Sequence, residues 1–459
     1  MNRSIASNHK QTGYLHNSTL ILIAFSSAYF ARLVDSLGAP SLVNFIHFFT
    51  VPLCFLVALL STQTKDRQQI KISWQLMTGL TILLGVAIAS AMLNDAGIIN
   101  VVMHFLMLGE PFLLLIAIIC TPISPENLKQ FKNWIVGCAF FNMLLAFVMW
   151  PLTHADLLPR STMGYEDSIQ GVFYFSGAGN TVSTSVSMTF AFYYFANAKK
   201  APFWFRLLLL FAAFFQLIIS DSKQVIFAFL LAGILLALST FKNVGQAIKY
   251  VLIAVLAIWA FLWCVENVPA FLAFKQWMQR AELYGPDGEV TLTKTSVFRM
   301  VPPYYHSPLN WLFGLGSGHT VSRLGGWMLK DYSGLLEPLG STIHPVSTKV
   351  WIEVGNNPVA SGSTMFLPFF GWAGIWGDLG FLGLGAYLYL GSIVWGRLCL
   401  DKCSQFLLLT VFAFGLIFTQ MEEPGYMLFI ATLLGLQWQE RRQGRKVASS
   451  KYQVASKKV

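Results

Sequence analysis

Ile98-Ile-Asn-Val-Val-Met-His-Phe-Leu-Met-Leu-Gly-Glu-Pro-Phe-Leu-Leu-Leu-Ile-Ala-Ile-Ile-Cys120 decides what class of molecule this chain is. About 20 apolar residues make a helix long enough to cross a hydrocarbon core of about 30 Å. This stretch is apolar almost throughout, with a single acid, Glu110, at its middle. An ionisable group at the centre of such a helix costs about 2.5–3.5 kcal/mol on insertion scales, so Glu110 needs a reason to be there. It reads either as a proton or substrate contact, or as an interhelical hydrogen bond at the kink set by Pro111, with His104 upstream on the same helix.

Working outward from this segment, counting such stretches gives twelve candidate spans, the last of them short and those at 366–395 and 177–198 open to re-entrant or interfacial portions. They lie near 19–37, 41–61, 74–93, 98–120, 133–152, 177–198, 203–220, 224–240, 246–268, 366–395, 404–421 and 424–438. The composition agrees: 55% of the 459 residues are hydrophobic and 11% charged, whereas about a quarter are charged in soluble domains. The expected fold is an all-α, polytopic membrane protein. Residues 1–268 hold nine spans, 269–365 form one large polar loop, 366–438 hold three more spans, and 439–459 form a basic tail.

The charges orient this arrangement. With an even number of spans the termini and alternate loops share one side. That side collects most of the 31 basic residues, including Lys65, Arg67, Lys129, Lys132, Lys199, Lys200, Arg397, Lys402 and the tail cluster Arg441, Arg442, Arg445 and Lys446. The positive-inside rule makes it cytoplasmic. The opposite short loops carry Asp95, Glu166, Asp167, Glu422 and Glu423, so the large loop is expected in a periplasm-like compartment. The protein is thus expected in the inner (plasma) membrane, with its first span a retained signal anchor. A net charge of +10 fits anionic membrane lipids as partners better than nucleic acid. The six cysteines fall in or beside spans and offer neither a disulfide framework nor zinc spacing. No cofactor or metal is expected. The absence of a visible internal repeat weakens a transporter reading, since many transporters are built from related halves.

Ionisable and glycine-rich segments outside the spans are the candidates for chemistry. Arg32 and Asp35 are spaced for a local ion pair on a helix. The segment from Arg160 to Asn180, with Gly171 and Gly177-Ala-Gly179-Asn180, reads either as close helix packing or as a glycine-broken start of a span that presents backbone N–H groups to an anion. Lys223 sits at the external start of a helix, where a phosphate would meet both cation and helix dipole, or where a lysine simply anchors the interface. In the large loop an amphipathic piece, Phe271 to Leu283, is expected to lie in the headgroup plane. Beyond it come Arg299, Pro302-Pro303-Tyr304-Tyr305-His306, Trp311, Gly314-Leu-Gly316-Ser-Gly318, His319 and Arg323. No strand–turn–helix context precedes the glycines, so they imply a tight backbone rather than a nucleotide site. Tyr304, Tyr305, Trp311, Trp327, Tyr332 and Trp351 read as sugar-stacking surfaces or as an interfacial belt.

Taken in order, these residues resemble the O-antigen ligase and polymerase family, including the Wzy-type polysaccharide polymerases. Arg299 followed by the Pro-rich run into Gly314-Leu-Gly316-Ser-Gly318 is similar to the arginine and glycine turn of that family's large periplasmic loop. Ser222-Lys223 stands where the family has Ser-Arg, Gly171 and Asn180 resemble its Gly…Asn pattern, and Asp378-Leu-Gly380-Phe-Leu-Gly383 resembles its E-x-G-x-x-G helix. The resemblance implies a GT-C-like membrane glycosyltransferase using undecaprenyl-diphosphate-linked glycans as donor and acceptor, with other polysaccharide export proteins as further partners. On that mechanism Arg299 and Lys223 are the expected clamp on the departing diphosphate, with Arg160 and Arg323 as further candidates, and Asp378, His344 and Glu337 are the candidates for the base that takes the acceptor proton. Further substrate contacts are expected at Gly314, Gly316, Gly318, Asn180 and Tyr304. Family ligases carry a histidine ahead of the acidic position; Phe369 stands there here, which shifts the expectation toward a polymerase or another transferase, with ligase-type transfer to a lipid or protein acceptor as the alternative within the enzyme class. Loss of long-chain polysaccharide in Arg299→Ala is the corresponding expectation. A lipid-linked sugar transporter or flippase is the alternative from another class.

Overall fold

A computed structural model of the chain describes residues 17–62, 64–158, 164–174, 178–239, 244–271, 275, 278, 281–361 and 364–456. Every regular element among them is helical. The principal helices are α1 (Asn17–Tyr29), α2 (His47–Ser61), α3 (Arg67–Leu93), α4 (Ile98–Cys120), α5 (Pro125–His154), α6 (Gly179–Asn197), α7 (Phe203–Ile219), α8 (Gln224–Ser239), α9 (Val244–Asn267), α10 (Gly371–Arg397), α11 (Lys402–Phe414) and α12 (Pro424–Ser456). Short helices and turns fill the region between α9 and α10.

Five helical stretches, Ser41–Ser61, Arg67–Leu93, Ile98–Cys120, Pro125–His154 and Thr364–Arg397, are long and apolar enough to cross a membrane. Those at Ser18–Tyr29, Phe203–Ile219, Gln224–Ser239 and Lys402–Gly415 are apolar but shorter. Ser/Thr-rich α6 is not among either group. Exposed and core-facing sides differ between helices: α7 shows Phe211 and Phe215 outward, while α4 is buried on every side from Met107 to Cys120. Over that half α4 is apolar all round rather than on one face, because it packs against α2, α3 and α12.

Local sequence sets several helix starts. Asp66 caps α3 by accepting from the N–H groups of Gln68 and Gln69. Ser124 caps α5, with Pro125 in the first turn, and Asp401 with Ser404 forms a capping box on α11. The cap of α3 also meets the basic tail. Arg442 Nε lies 3.4 Å from Asp66 Oδ2, Arg441 pairs with Asp401 at 3.0 Å, and Lys132 pairs with Glu440 at 2.6 Å. Tail and alternate loops therefore gather at one end of the bundle.

The region between α9 and α10 gathers at the other end. Asn100, in the first turn of α4, donates to Ser317 O and Thr342 O, and Asn94, just after α3, donates to Gly314 O. Lys294 donates its ammonium hydrogens to the carbonyls of Met365, Leu367 and Ile417. These bonds fasten the expected large loop onto the helix ends as a cap. The expected amphipathic piece from Phe271 to Leu283 falls mostly outside the described residues.

Candidate functional site

The Gly314–Gly318 turn is built by a break in α10. Gly380 has φ +65° and ψ −163°, inside an element otherwise helical. A side chain is strained there, and a Cβ would stand 2.4 Å from the backbone of Leu312. The break frees the carbonyls just ahead of it, and the glycine turn takes them. Leu315 N–H donates to Gly377 O at 2.9 Å and Gly316 N–H to Asp378 O at 3.1 Å. Gly314, with φ +73°, lies so near Asp378 that a Cβ there would be 2.4 Å from its carbonyl carbon.

Asp378 completes the joint. Its fully buried carboxylate accepts from Gly318 N–H (2.8 Å), Thr320 N–H (2.8 Å) and Thr320 Oγ1 (2.6 Å). The His104 ring lies 3.7 Å away. With its oxygens so occupied, Asp378 fixes the turn. The N–H groups of Gly314, Gly316 and Gly318 are all engaged within the protein, to Asn310 O, Asp378 O and Asp378 Oδ2 respectively, so none points to a ligand.

The other named candidates are dispersed. Arg299 is exposed and donates to Leu292 O at 2.7 Å. Lys223 pairs with Asp221, and burial lowers its pKa against the opposing pull of Glu166 and Asp167. Three carboxylates around one ammonium make a poor seat for a dianion. Asn180 is buried and donates to Asp167 Oδ1 and Ser220 O, tying two loops together. His344 caps the helix Pro345–Asn356 through Val346 N–H, and burial lowers its pKa to about 4, with His319 and His306 adding to the effect. Tyr304 packs edge-on to His344, ring centroids 5.3 Å apart. Arg160 lies outside the described residues.

Arg323 stands apart from these, because it lines a cavity. This cavity, of about 250 Å³, has Arg32, Arg323, Trp327, Tyr332, Trp351 and Glu423 in its wall, with Phe369, Asp331 and Gln420. Neither Arg299 nor Lys223 lines it. An adjoining chamber of about 30 Å³ shares Arg32, Arg323, Trp327, Tyr332 and Glu423, and reaches His47 and Glu422. Such a polar chamber has room for about one or two waters.

The charges here are incompletely matched. Arg323 forms an ion pair with Glu423, donates its backbone N–H to Glu422 Oε2 at 2.7 Å, and lies over the Trp327 ring at 5.8 Å. Burial, reinforced by the Arg32 charge, lowers the Arg323 pKa to about 9. Burial raises Glu422 to about 8, with Arg323 opposing. Glu422 Oε1 and Asn44 Oδ1, both on chamber-lining residues, have no hydrogen-bond partner among the described residues. Arg32 donates to the Tyr332 hydroxyl at 3.3 Å. The expected Arg32–Asp35 pair is replaced, because Asp35 accepts instead from Asn44 at 2.7 Å and leaves the guanidinium for the cavity.

Glu110 finds its partner in His47, whose Nδ1 lies 2.8 Å from Glu110 Oε2, joining α2 to α4. The interhelical hydrogen bond is thus the reading the geometry realises. Sequence reasoning passed over Arg32, Asp331, Gln420, Glu422 and Glu423 as site residues. The available signal was Glu422-Glu423-Pro424 itself: two adjacent acids in a very short link between apolar stretches, where unpaired charge is expensive. No protein-family model and no curated protein matches this chain, so its cavity and its residue pattern carry the functional reading.

Proposed function

We propose that this chain is a membrane glycosyltransferase acting on undecaprenyl-diphosphate-linked glycans, and that it polymerises repeat units of a cell-surface polysaccharide. The observation that carries the reading is the cavity in which Arg32 and Arg323 face the same space as Trp327, Tyr332 and Trp351. As an anomeric C–O bond breaks, the diphosphate gains negative charge, and fixed cations in a water-poor site stabilise it. Guanidinium groups serve this purpose through paired hydrogen bonds that persist across the working pH range. Indole and phenol rings offer apolar faces to sugar rings and polar edges to their hydroxyls.

The surroundings support a lipid-borne substrate. Gln420 and Glu423 line the polar cavity, while Met421 of the same segment lines an apolar hollow of about 300 Å³ with Phe112, Trp372, Tyr387 and Phe412. An apolar tail and an anionic head thus have adjacent places to lie. The site belongs to the end of the bundle away from the basic tail, which the positive-inside rule assigns to the exterior, where lipid-linked repeat units are joined. Phe369 is buried in the cavity wall where family ligases have histidine, which favours polymerase over ligase.

The test is a gel of surface glycans from a deletion strain complemented with the native chain, Arg323→Ala or Arg32→Ala. Deletion should leave single repeat units without polymer, and each arginine variant should lose most long chains while still inserting. Full-length polymer in both variants would remove the cavity from the reaction. Polymer accumulating on the lipid carrier would mark the chain as a ligase.

A further inference from the structure

The strongest unexplained feature is the Arg323–Glu423 ion pair. Both partners are almost fully buried, with side-chain exposures of 10% and 8%, yet both line the cavity and its adjoining chamber. A buried carboxylate next to a guanidinium stays ionised; separated from it in a low-dielectric site, it takes up a proton. An incoming diphosphate competes for that same guanidinium, and its own negative charge presses Glu423 in the same direction.

We propose that Glu423 is the general acid of the transfer reaction, held ionised by Arg323 in the free protein and armed with a proton when the diphosphate of the donor lipid takes Arg323 away. This rests on the glycosyltransferase reading above. The acceptor hydroxyl oxygen bonds to the anomeric carbon as the C–O bond to phosphate breaks, and the bond's electron pair passes to the phosphate oxygen. Glu423 gives its proton to that oxygen, and the proton of the acceptor hydroxyl leaves through water. Departure of the lipid diphosphate returns Arg323 to Glu423 and resets the pair.

The neighbours leave Glu423 as the group that changes. Arg32, Tyr332 and Asp331 face it across the cavity, His47 of α2 faces it in the chamber, and Glu422 adjoins it in the chain. Glu422, raised to about 8 by burial, already holds its proton at neutral pH. Arg32 supplies a second cation, so the diphosphate can engage both arginines at once.

The experiment uses the full chain in lipid nanodiscs with undecaprenyl diphosphate carrying one N-acetylglucosamine. Its diphosphate is a diester with no proton to exchange near neutrality. Binding and proton uptake are measured together at pH 7 in weak buffer. The expected result is about one proton taken up per lipid bound, absent in Glu423→Gln, which still binds, and retained in Glu423→Asp. Turnover in the native chain should fall as pH rises, and that alkaline limb should move in Glu423→Asp. Binding without uptake, or equal uptake in Glu423→Gln, overturns the role of Glu423 and leaves the transferase reading standing. Absence of binding overturns both.

Discussion

Two buried carboxylate corners lie at the same end of this molecule, and they have opposite characters. At Asp378 three donors surround one carboxylate, the neighbouring glycines have no space for a side chain, and every nearby glycine N–H is engaged. At Glu422 and Glu423 the polar groups are as deeply buried, but Glu422 Oε1 lacks a partner among the described residues, two arginines crowd the space, and a cavity opens beside them. A saturated polar cluster fixes a backbone; an unsaturated one beside open volume is poised for a ligand. The contrast moves the centre of interest from the glycine turn, where the sequence pattern is loudest, to a pair of acids it barely marks.

The comparison is broken most directly by Asp378→Ala. Three buried donors would lose their acceptor, so the protein should lose about 3–5 kcal/mol of stability, read as poor accumulation or a sharp fall in unfolding temperature in detergent. A stable but inactive Asp378→Ala protein would instead place Asp378 in the chemistry. The next effect concerns pH. A glutamate in the unfolded chain titrates near 4.5, whereas Glu422 in the folded protein titrates near 8. The folded state therefore binds the extra proton between those values, and stability should fall as pH rises from about 5 to about 8. Glu422→Gln should remove that slope, raising thermal stability at pH 8 more than at pH 5; an unchanged slope would show that the corner is already satisfied.

Trp351→Ala should have a smaller effect. It removes a ring from the cavity wall that also packs on Phe369, 5.6 Å between centroids. A loss of about 1 kcal/mol in substrate binding is expected, seen as a KM raised about fivefold with kcat little changed. Smallest of all should be Arg299→Ala. Its guanidinium is exposed and bonded to Leu292 O, so polymer length should remain near normal. Loss of polymer there, with Arg323→Ala tolerated, would reverse the assignment and restore the family pattern over the cavity.

Much of the helical framework was legible because membrane-spanning length and charge asymmetry are written locally. The run from Met107 to Cys120 and the basic tail that meets Asp66 and Asp401 needed no tertiary information to be noticed. The glycine turn was legible as a tight backbone, though its partner, the break at Gly380, was not. The site was far less visible. Arg32 and Asp35 have the spacing of a helical ion pair, but Asn44 captures the aspartate, and the arginine turns to Tyr332. Lys294 looks like an ordinary loop lysine, yet it is held by three carbonyls, and burial lowers its pKa to about 7.

The sequence by itself determined an all-helical chain rich in apolar helices, because hydrophobic length and charge placement depend on neighbours along the chain. Only the tertiary structure decided which polar groups are spent and which are free, since residues as distant as Arg32, Arg323 and Glu423 meet only after the helices pack. Hydrogen-bond capacity is a property of such meetings: the same carboxylate is a rivet when three donors converge on it and a reactive group when one donor must be shared.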